Sequence, residues 1–240
     1  MKKIIVPIDF SQQSEYAMKV AVSLAKKHGF EILALHMLEL NQAMITSTEG
    51  YHPEQTVFLI KMAEKRFDEF LKKPFLNEVK VTPIIKHYKV FSEVNEIAKE
   101  HEVGLVVMGS HGADGLTEIF IGSNAEKVVR TSDIPVIVVK GEMEDFNIKR
   151  FVFACDFSLE NLTAFSQAKA FASMLSAELN LVYVNTPGDS FLSTSDCYER
   201  INKFLHEAKS AEEVTIYNDY TVEKGVLGFS EVNGADAIGI

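Results

Sequence analysis

The sequence predicts an α/β fold in which one parallel-sheet unit occurs twice along the chain. Short β-branched apolar runs alternate with longer segments of helical periodicity, which is the pattern of parallel strands joined by crossover helices. The stretch VPIDFSQQSEYAMKVAVSLA, which begins at Val6, returns as VFACDFSLENLTAFSQAKAF, which begins at Val152. These two observations predict two tandem, doubly wound domains, the second of them incomplete.

The first copy opens with a buried strand at Met1–Ile8 and a helix from Ser11 to His28. Ser11 is the expected N-cap and Gly29 the expected residue beyond the helix, because helices favour these residue types at those positions. The other predicted strands are Glu31–Leu38, Val79–Lys86, Gly104–Met108 and Ile134–Val139, the other predicted helices are Thr56–Leu71, Phe91–His101 and Ser123–Thr131, and Asn41–Pro53 is a predicted loop.

The second copy is recognised by matched motifs. Asp9-Phe10-Ser11 corresponds to Asp156-Phe157-Ser158, and FSEVN occurs both at Phe91–Asn95 and at Phe229–Asn233. We interpret both matches as traces of a tandem duplication.

Sliding Gly104–Met108 onto Asp236–Ile240 aligns the fourth strands of the two copies, so the second copy stops one residue before the counterpart of Gly109. We therefore expect a complete domain at 1–144 and a second domain at 145–240 that lacks the glycine loop, the last helix and the fifth strand. The boundary is placed in the acidic stretch Gly141–Asp145.

The composition and net charge of the chain exclude two classes of partner. The chain is 47% hydrophobic and 24% charged, and its formal net charge is −10. The clustered Lys and Arg of a duplex-binding surface are missing, and an anionic membrane would repel this surface, so neither nucleic acid nor membrane is an expected partner. No apolar stretch approaches the roughly 20 residues of a membrane span, and the N-terminal run is too short for a signal peptide.

The cysteines and histidines indicate a reducing compartment and no metal site. Cys155 and Cys197 are too few for a disulfide framework or a zinc site, so we expect free thiols and a cytoplasmic protein. The seven histidines show no H-E-x-x-H motif and no short Cys/His pairing, and no metal site is expected.

The stretch MGSHGADGLTEIFIGSNAE, from Met108 to Glu126, contains the spacing Gly109-x2-Gly112-x9-Gly122-Ser123. It is neither a Walker A loop nor a Rossmann fingerprint. One interpretation is phosphate binding, because glycines at a strand end let a ligand approach backbone N–H groups and a helix N-terminus attracts anions. The other is structural: turn glycines followed by the capping box Ser123-x-x-Glu126. Spacing alone leaves both open.

This glycine pattern resembles the ATP-binding motif of the universal stress protein family. The early strand ending in VPIDFS, with Asp9, and the closing DIPVIVVK at Asp133–Lys140 resemble that family as well. The resemblance covers the first copy and the available part of the second. It implies a Rossmann-like fold similar to adenine nucleotide alpha hydrolases, with a parallel sheet in the order 3-2-1-4-5 and helices on both sides.

The resemblance also implies an ATP site in the first copy. Asp9 would border the ribose, and the backbone at the end of the second strand would meet adenine. Two simpler interpretations remain, in which Asp9 is a turn or cap residue and His36 is merely a side chain at a strand end. The candidate residues are Pro7, Ile8, Asp9, His36 and Met37 around adenosine, and Met108, Gly109, His111, Gly112, Gly122, Ser123 and Asn124 around the phosphates.

Two departures from the family pattern matter. Lys and Arg are absent from Met108 to Glu126, whereas Asp114 and Glu118 are present. Backbone N–H groups, the helix dipole and a bridging Mg²⁺ would have to attract the phosphates, so binding is expected to be weak or the site empty. In the second copy Ala154-Cys155 replaces Pro7-Ile8, so we expect no nucleotide there and an inert, buried Cys155 thiol.

The expected function is a non-catalytic ATP-binding regulator. A slow ATPase is the enzymatic alternative, although Asp9 is the sole candidate base, and a scaffold that works through its surfaces is the other. Family members commonly pair their fifth strands across a two-fold axis, which implies a homo-oligomer formed through Ile134–Val139.

Overall fold

The computed structural model describes residues 3–38, 53–87, 92–110, 122–143, 146–188 and 191–240. The chain divides into two compact units, Met1–Phe146 and Asn147–Ile240, called here the first and the second domain. No helix within the described residues is both long and apolar enough to cross a membrane.

The first domain is built on a five-stranded parallel sheet with the order β3-β2-β1-β4-β5, which confirms the implied topology. The predicted elements are present, with ends shifted by a few residues, and the loop predicted at Asn41–Pro53 lies outside the described residues except for Pro53, which begins a helix. The strands are β1 Lys3–Pro7, β2 Glu31–Leu38, β3 Val81–His87, β4 Leu105–Gly109 and β5 Val136–Val139, and the helices are α1 Gln12–His28, α2 Pro53–Phe70, α3 Ser92–Glu100 and α4 Ser123–Thr131, with a 3₁₀ turn at Pro74–Leu76.

Helices cover both faces of this sheet. On one face, inward-pointing residues of alternate strand positions, such as Ile5 and Val106, form a buried cluster with Ile97 of α3 and Val128 of α4. On the other face α1 packs across β1, β2 and β4. Strands buried on both faces explain the nearly continuous apolar runs in the sequence.

Helix α1 has the predicted ends. The Ser11 Oγ accepts a hydrogen bond of 3.2 Å from the Ser14 backbone N–H, as an N-cap should. Gly29 adopts a left-handed conformation with φ 69°, and its N–H donates to the Ala25 carbonyl at 2.8 Å. Both caps are local, which is why a short sequence window was enough to predict them.

The second domain contains a four-stranded parallel sheet with the order β8-β7-β6-β9, the same order as the first four strands of the first domain. Its two cysteines are free thiols. The strands are β6 Arg150–Ala154, β7 Glu178–Asn185, β8 Val214–Asn218 and β9 Ala237–Gly239, and the helices are α5 Leu162–Leu175, α6 Thr194–Glu207 and α7 Val222–Val232, with a 3₁₀ turn at Leu159–Asn161.

The two domains also match in the backbone conformation of single residues and in the register of their strands. Phe10 and Phe157 both have positive φ, 65° and 53°, which is rare for non-glycine residues. In the first sheet Ile4 lies beside Leu105, and in the second sheet Phe151 lies beside Ala237. This register confirms the alignment of Gly104–Met108 with Asp236–Ile240.

The repeated FSEVN string is not part of the duplication. In the first domain it lies at the beginning of α3, which starts at Ser92, whereas Phe229–Asn233 lies at the end of α7. The matched turns that follow these helices, Glu102 with φ 56° and Gly234 with φ 57°, set the true alignment. The two FSEVN strings therefore do not occupy equivalent positions in the two domains. Our use of this match as evidence for the duplication was wrong.

Asp236 fastens the start of β6 to the turn before β9. One of its carboxylate oxygens accepts hydrogen bonds from the Arg150 N–H at 2.9 Å and the Lys149 N–H at 2.8 Å. These backbone hydrogen bonds, from Arg150 first and then Lys149, lower the pKa of Asp236. Because the folded pKa lies below the unfolded one, this stabilisation is present at neutral pH and is lost as the pH falls through the lowered folded pKa.

We expect Asp236→Ala to lower the free energy of unfolding of the second domain by about 1 kcal/mol at neutral pH, because two charge-assisted hydrogen bonds at an exposed site are lost. The difference from the unmodified protein should shrink in acid. Urea denaturation at neutral and acidic pH measures both values. Asp133→Ala, which removes an exposed partner of Lys99 in the first domain, is the control and should leave the second-domain transition unchanged. A pH-independent difference would contradict the role of the Asp236 charge.

Candidate functional site

The candidate site lies at the carboxyl edge of the first sheet, where β1 and β4 are neighbours. The chain leaves β1 toward α1 on one face of the sheet and leaves β4 toward α4 on the other face. Open α/β sheets bind ligands at such a switch point, in the crevice between the two strand ends. β1 ends at Pro7 and β4 ends at Gly109, so Pro7–Asp9 and Met108–Gly109 lie at the same edge of the sheet.

Asp9 shapes the turn between β1 and α1. Its Oδ1 accepts a hydrogen bond of 2.9 Å from the Ser11 N–H, across the positive-φ residue Phe10. Asp156 makes the same contact with the Ser158 N–H at 2.8 Å in the second domain. Since both copies share this turn, an aspartate is explained there without a ligand, and the Asp9 side chain is exposed.

His36 has a structural role that its position in the sequence did not reveal. Its Nδ1 donates to the Ile8 carbonyl oxygen at 2.6 Å and so joins the end of β2 to the end of β1. The imidazole ring lies 4.7 Å from the Phe10 ring and 6.1 Å from the Phe67 ring, measured between centroids. The side chain is thus held within an aromatic cluster, which leaves the backbone as the part of His36 that can meet a ligand.

The apolar candidates are largely buried. Ile8, Met37 and Met108 are 3%, 9% and 5% exposed, and Pro7 is half-buried. Met37 and Met108 belong to the cluster beneath α3 and α4. A ligand at this edge would meet the backbone of these residues rather than their side chains.

The packing of α1 against β4 requires a glycine at position 109. A Cβ on Gly109 would lie 2.5 Å from the Gln13 carbonyl oxygen and 2.7 Å from the Gln13 carbonyl carbon. The first turn of α1 therefore fills the space that the missing side chain leaves. This contact explains the glycine without a ligand, and the approach of a phosphate to the Gly109 backbone stays a prediction.

The interpretation of Ser123-x-x-Glu126 as the capping box of α4 is wrong. Gly122 is the N-cap, so Ser123 is the first helical residue. Glu126 instead pairs with Arg130 one turn later, at 2.9 Å. Among the described residues, the N-cap position offers this helix no side-chain hydrogen bond, whereas Ser11 and Ser193 cap α1 and α6. Gly122 therefore provides no side-chain cap for the first N–H groups of α4, at the position where the family motif would place a phosphate.

The remaining candidates are only partly described. His111 and Gly112, with Asp114 and Glu118, lie outside the described residues. Asn124 is half-buried in the first turn of α4. In the described part of the chain, no group of three or more His, Cys, Asp or Glu side chains is placed to hold a metal ion.

A model of the universal stress protein family matches residues 1–140. The chain belongs to the universal stress protein family. Universal stress protein MJ0577 of Methanocaldococcus jannaschii is 30% identical over 155 residues, covering 58% of this chain and 94% of that protein. Universal stress protein YxiE of Bacillus subtilis is 32% identical over 145 residues, covering 58% of this chain and 98% of that protein.

Solved structures of universal stress proteins extend the similarity of fold to both domains. One from Archaeoglobus fulgidus DSM 4304 superposes with a TM-score of 0.68 at 23% identity and covers 98% of this chain and 83% of that chain. A protein from Pseudomonas aeruginosa UCBPP-PA14 described as a putative universal stress protein gives a TM-score of 0.59 at 14% identity. The superposition covers 99% of this chain and 81% of that chain. The tandem arrangement is thus shared with other universal stress proteins.

The second domain has the same turn as the first, but the residues around that turn differ. Cys155 is half-buried, not buried as predicted, and its desolvation still raises the pKa of the thiol, so the thiolate is disfavoured there. The pKa of Asp156 lies below its usual range. Desolvation acts to raise it, but hydrogen bonds from Ser158 and Asn161 and the charge of Arg200 together lower it by more. Asp156 is therefore an ionised turn residue beside an unreactive thiol.

Proposed function

We propose that this universal stress protein is a regulatory protein that binds ATP at the carboxyl edge of the first sheet and acts in the cytoplasm without strong catalysis. The observation that carries the proposal is that the N-cap of α4, the helix that follows β4, is Gly122, which has no side chain to cap the helix. Its backbone N–H groups and the positive end of its dipole suit a phosphate chain.

In the proposed site, backbone groups would make most of the contacts with the nucleotide. Adenine would lie against the backbone at the end of β2, the Asp9 carboxylate would accept from the ribose, and Gly122 with Ser123 would face the phosphates. Asp9 can accept such a bond because a carboxylate has about four acceptor sites, and the hydrogen bond from the Ser11 N–H occupies one of them. A bound Mg²⁺ would offset the negative charge of Asp114 and Glu118 in the glycine stretch.

Isothermal calorimetry with ATP tests the site. Gly122→Val is expected to weaken Mg-ATP binding at least about a hundredfold, because a branched side chain at the N-cap would occupy the position of a phosphate and cost more than about 2.7 kcal/mol. Gly141→Val, at a glycine with open space around its Cβ position, is the control and should bind like the unmodified protein. Equal affinities in Gly122→Val and the unmodified protein would refute this placement.

The proposal includes a homodimer formed through β5, which lies at one edge of the first sheet. The opposite edge, β3, contains Pro83, which has no N–H to offer a neighbouring strand. The carbonyl oxygens of Pro135 and Val139 accept hydrogen bonds from β4 and the residue after it. Since backbone direction alternates along a strand, the N–H and carbonyl groups of Val136 and Val138 point outward. A two-fold related β5 could pair with them.

A further inference from the structure

The second sheet has an outer edge that the nucleotide proposal does not use. Its order is β8-β7-β6-β9, so β8 is the outermost strand on one side, and among the described residues no strand pairs with its free side. The Asp219 N–H donates to the Asn185 carbonyl oxygen of β7 at 3.3 Å, so this part of the backbone points inward. Because backbone direction alternates along a strand, the N–H and carbonyl groups of Val214, Ile216 and Asn218 point outward. These outward groups are called here the β8 edge.

The first domain blocks the corresponding edge with a proline. Ala34 of β2 and Leu181 of β7 are equivalent, because each pairs with the fourth residue of β1 or β6. Ala34 lies beside Pro83 of β3, and Leu181 lies beside Val214 of β8. Proline has no N–H group and so protects an edge strand from further pairing. The second domain has valine at this register position, so its edge offers an unbroken row of donors.

Acidic side chains flank the β8 edge symmetrically. Glu213 and Asp219 lie three residues before and three residues after Ile216, an even spacing that places both on one face of an extended strand. At about 3.3 Å per residue they are about 20 Å apart. Glu213 is exposed and forms no ion pair with another described residue. A strand laid along this edge would therefore meet a negative charge at each end.

A second copy of β8 does not match this charge pattern. Antiparallel pairing that uses all three outward residues of both strands would centre on Ile216, and it would place Glu213 of one chain opposite Asp219 of the other. Like charges directly opposite each other destabilise a strand pair. The β8 edge therefore favours a basic segment over another copy of this chain.

We propose that the β8 edge binds an extended segment of a partner protein as an added strand, and that this segment has a basic residue at each end of an uncharged, β-branched core. The two basic residues are six positions apart, so that in antiparallel pairing they lie opposite Asp219 and Glu213. Three residues between them exchange backbone hydrogen bonds with the β8 edge. These hydrogen bonds give the affinity, and the end charges select the segment. The first domain takes no part, so the proposal is independent of ATP binding.

Three peptides test the pairing on the full chain, each acetylated at its amino end and amidated at its carboxyl end. The first is KVTVTVK, the second has glutamate in place of both lysines, and the third is the first with an N-methyl group on its central valine. Titration followed by ¹H–¹⁵N NMR should show saturable binding of the lysine peptide at millimolar concentrations, with shifts in β8. The glutamate peptide should bind at least about tenfold more weakly, because two exposed ion pairs become repulsive contacts. The methylated peptide should bind about fivefold more weakly, because one ladder hydrogen bond is lost.

Two pairs of variants locate the peptide. Val214→Pro should weaken binding of the lysine peptide at least about fivefold and Val214→Ala less than about twofold, because only proline removes the outward N–H. The first domain accommodates a proline at this register position, so the second sheet should still form. Glu213→Lys should remove most of the preference for the lysine peptide over the glutamate peptide. Glu160→Lys, at an exposed glutamate in the turn after β6, is its control and should keep that preference.

Several outcomes would overturn the proposal. Equal binding of the three peptides, or no saturable binding, would show that strand addition with charged ends does not occur. Unchanged binding to Val214→Pro, or an unchanged preference in Glu213→Lys, would place the peptide elsewhere. Shifts of β8 amides that depend on protein concentration, without peptide, would show that a second copy occupies the edge instead.

Discussion

Gly109→Ala is expected to lower the free energy of unfolding of the first domain by about 2 kcal/mol, with no nucleotide present. The added methyl group would lie 2.5 Å from the Gln13 carbonyl oxygen. This neighbour is backbone in the first turn of α1, so no side-chain rotation can relieve the overlap, and the helix must move away from β4. The small gain from reduced freedom of the unfolded chain is already included in this figure.

Urea denaturation, with amide hydrogen exchange in α1, measures the effect of Gly109→Ala. The control is Gly141→Ala, because a Cβ at Gly141 would meet nothing within 4 Å. It should leave stability nearly unchanged, and the second-domain transition should not move in either variant. If Gly109→Ala were as stable as Gly141→Ala, the packing explanation of Gly109 would fail and its role would have to lie in ligand binding.

The second large effect is expected on oligomeric state. Light scattering at micromolar concentration should give twice the chain mass of 26.8 kDa for the unmodified protein and 26.8 kDa for Val138→Pro. Proline removes the outward N–H of Val138, which pairing across the two-fold axis needs. The hydrogen bonds between β4 and β5 remain, because they use the alternate residues of β5.

Val138→Ala is the matched control for this prediction. Both variants lose the valine side chain, but only proline loses the N–H group, so Val138→Ala should remain dimeric. Val138→Asp would be a poor choice, because Val138 packs against the buried cluster of its own domain and a charge there would unfold it. A monomeric unmodified protein, or a dimeric Val138→Pro, would rule out association through β5.

The sequence determined the features that depend on neighbouring residues. Periodicity placed the helices and strands, and Ser11 and Gly29 were recognisable as the ends of α1 because a cap is completed within four residues. The repeat of Asp-Phe-Ser predicted the second copy, and its shared backbone geometry confirms that prediction. The resemblance of the glycine spacing to a family motif supplied the strand order, which local patterns could not have done.

Other features were decided by residues far apart in the chain. The contact of Gly109 with Gln13 and the hydrogen bond of His36 to Ile8 join separate elements, so no local window contained them. The two FSEVN strings have the same sequence, yet the bounds of α3 and α7 place them at opposite ends of their helices.

The contact of Phe204 in α6 with Phe157 in the turn after β6 likewise joins residues far apart in the chain. Side-chain patterns predict which face is buried, but only tertiary packing decides which atoms fill the space beside a given residue.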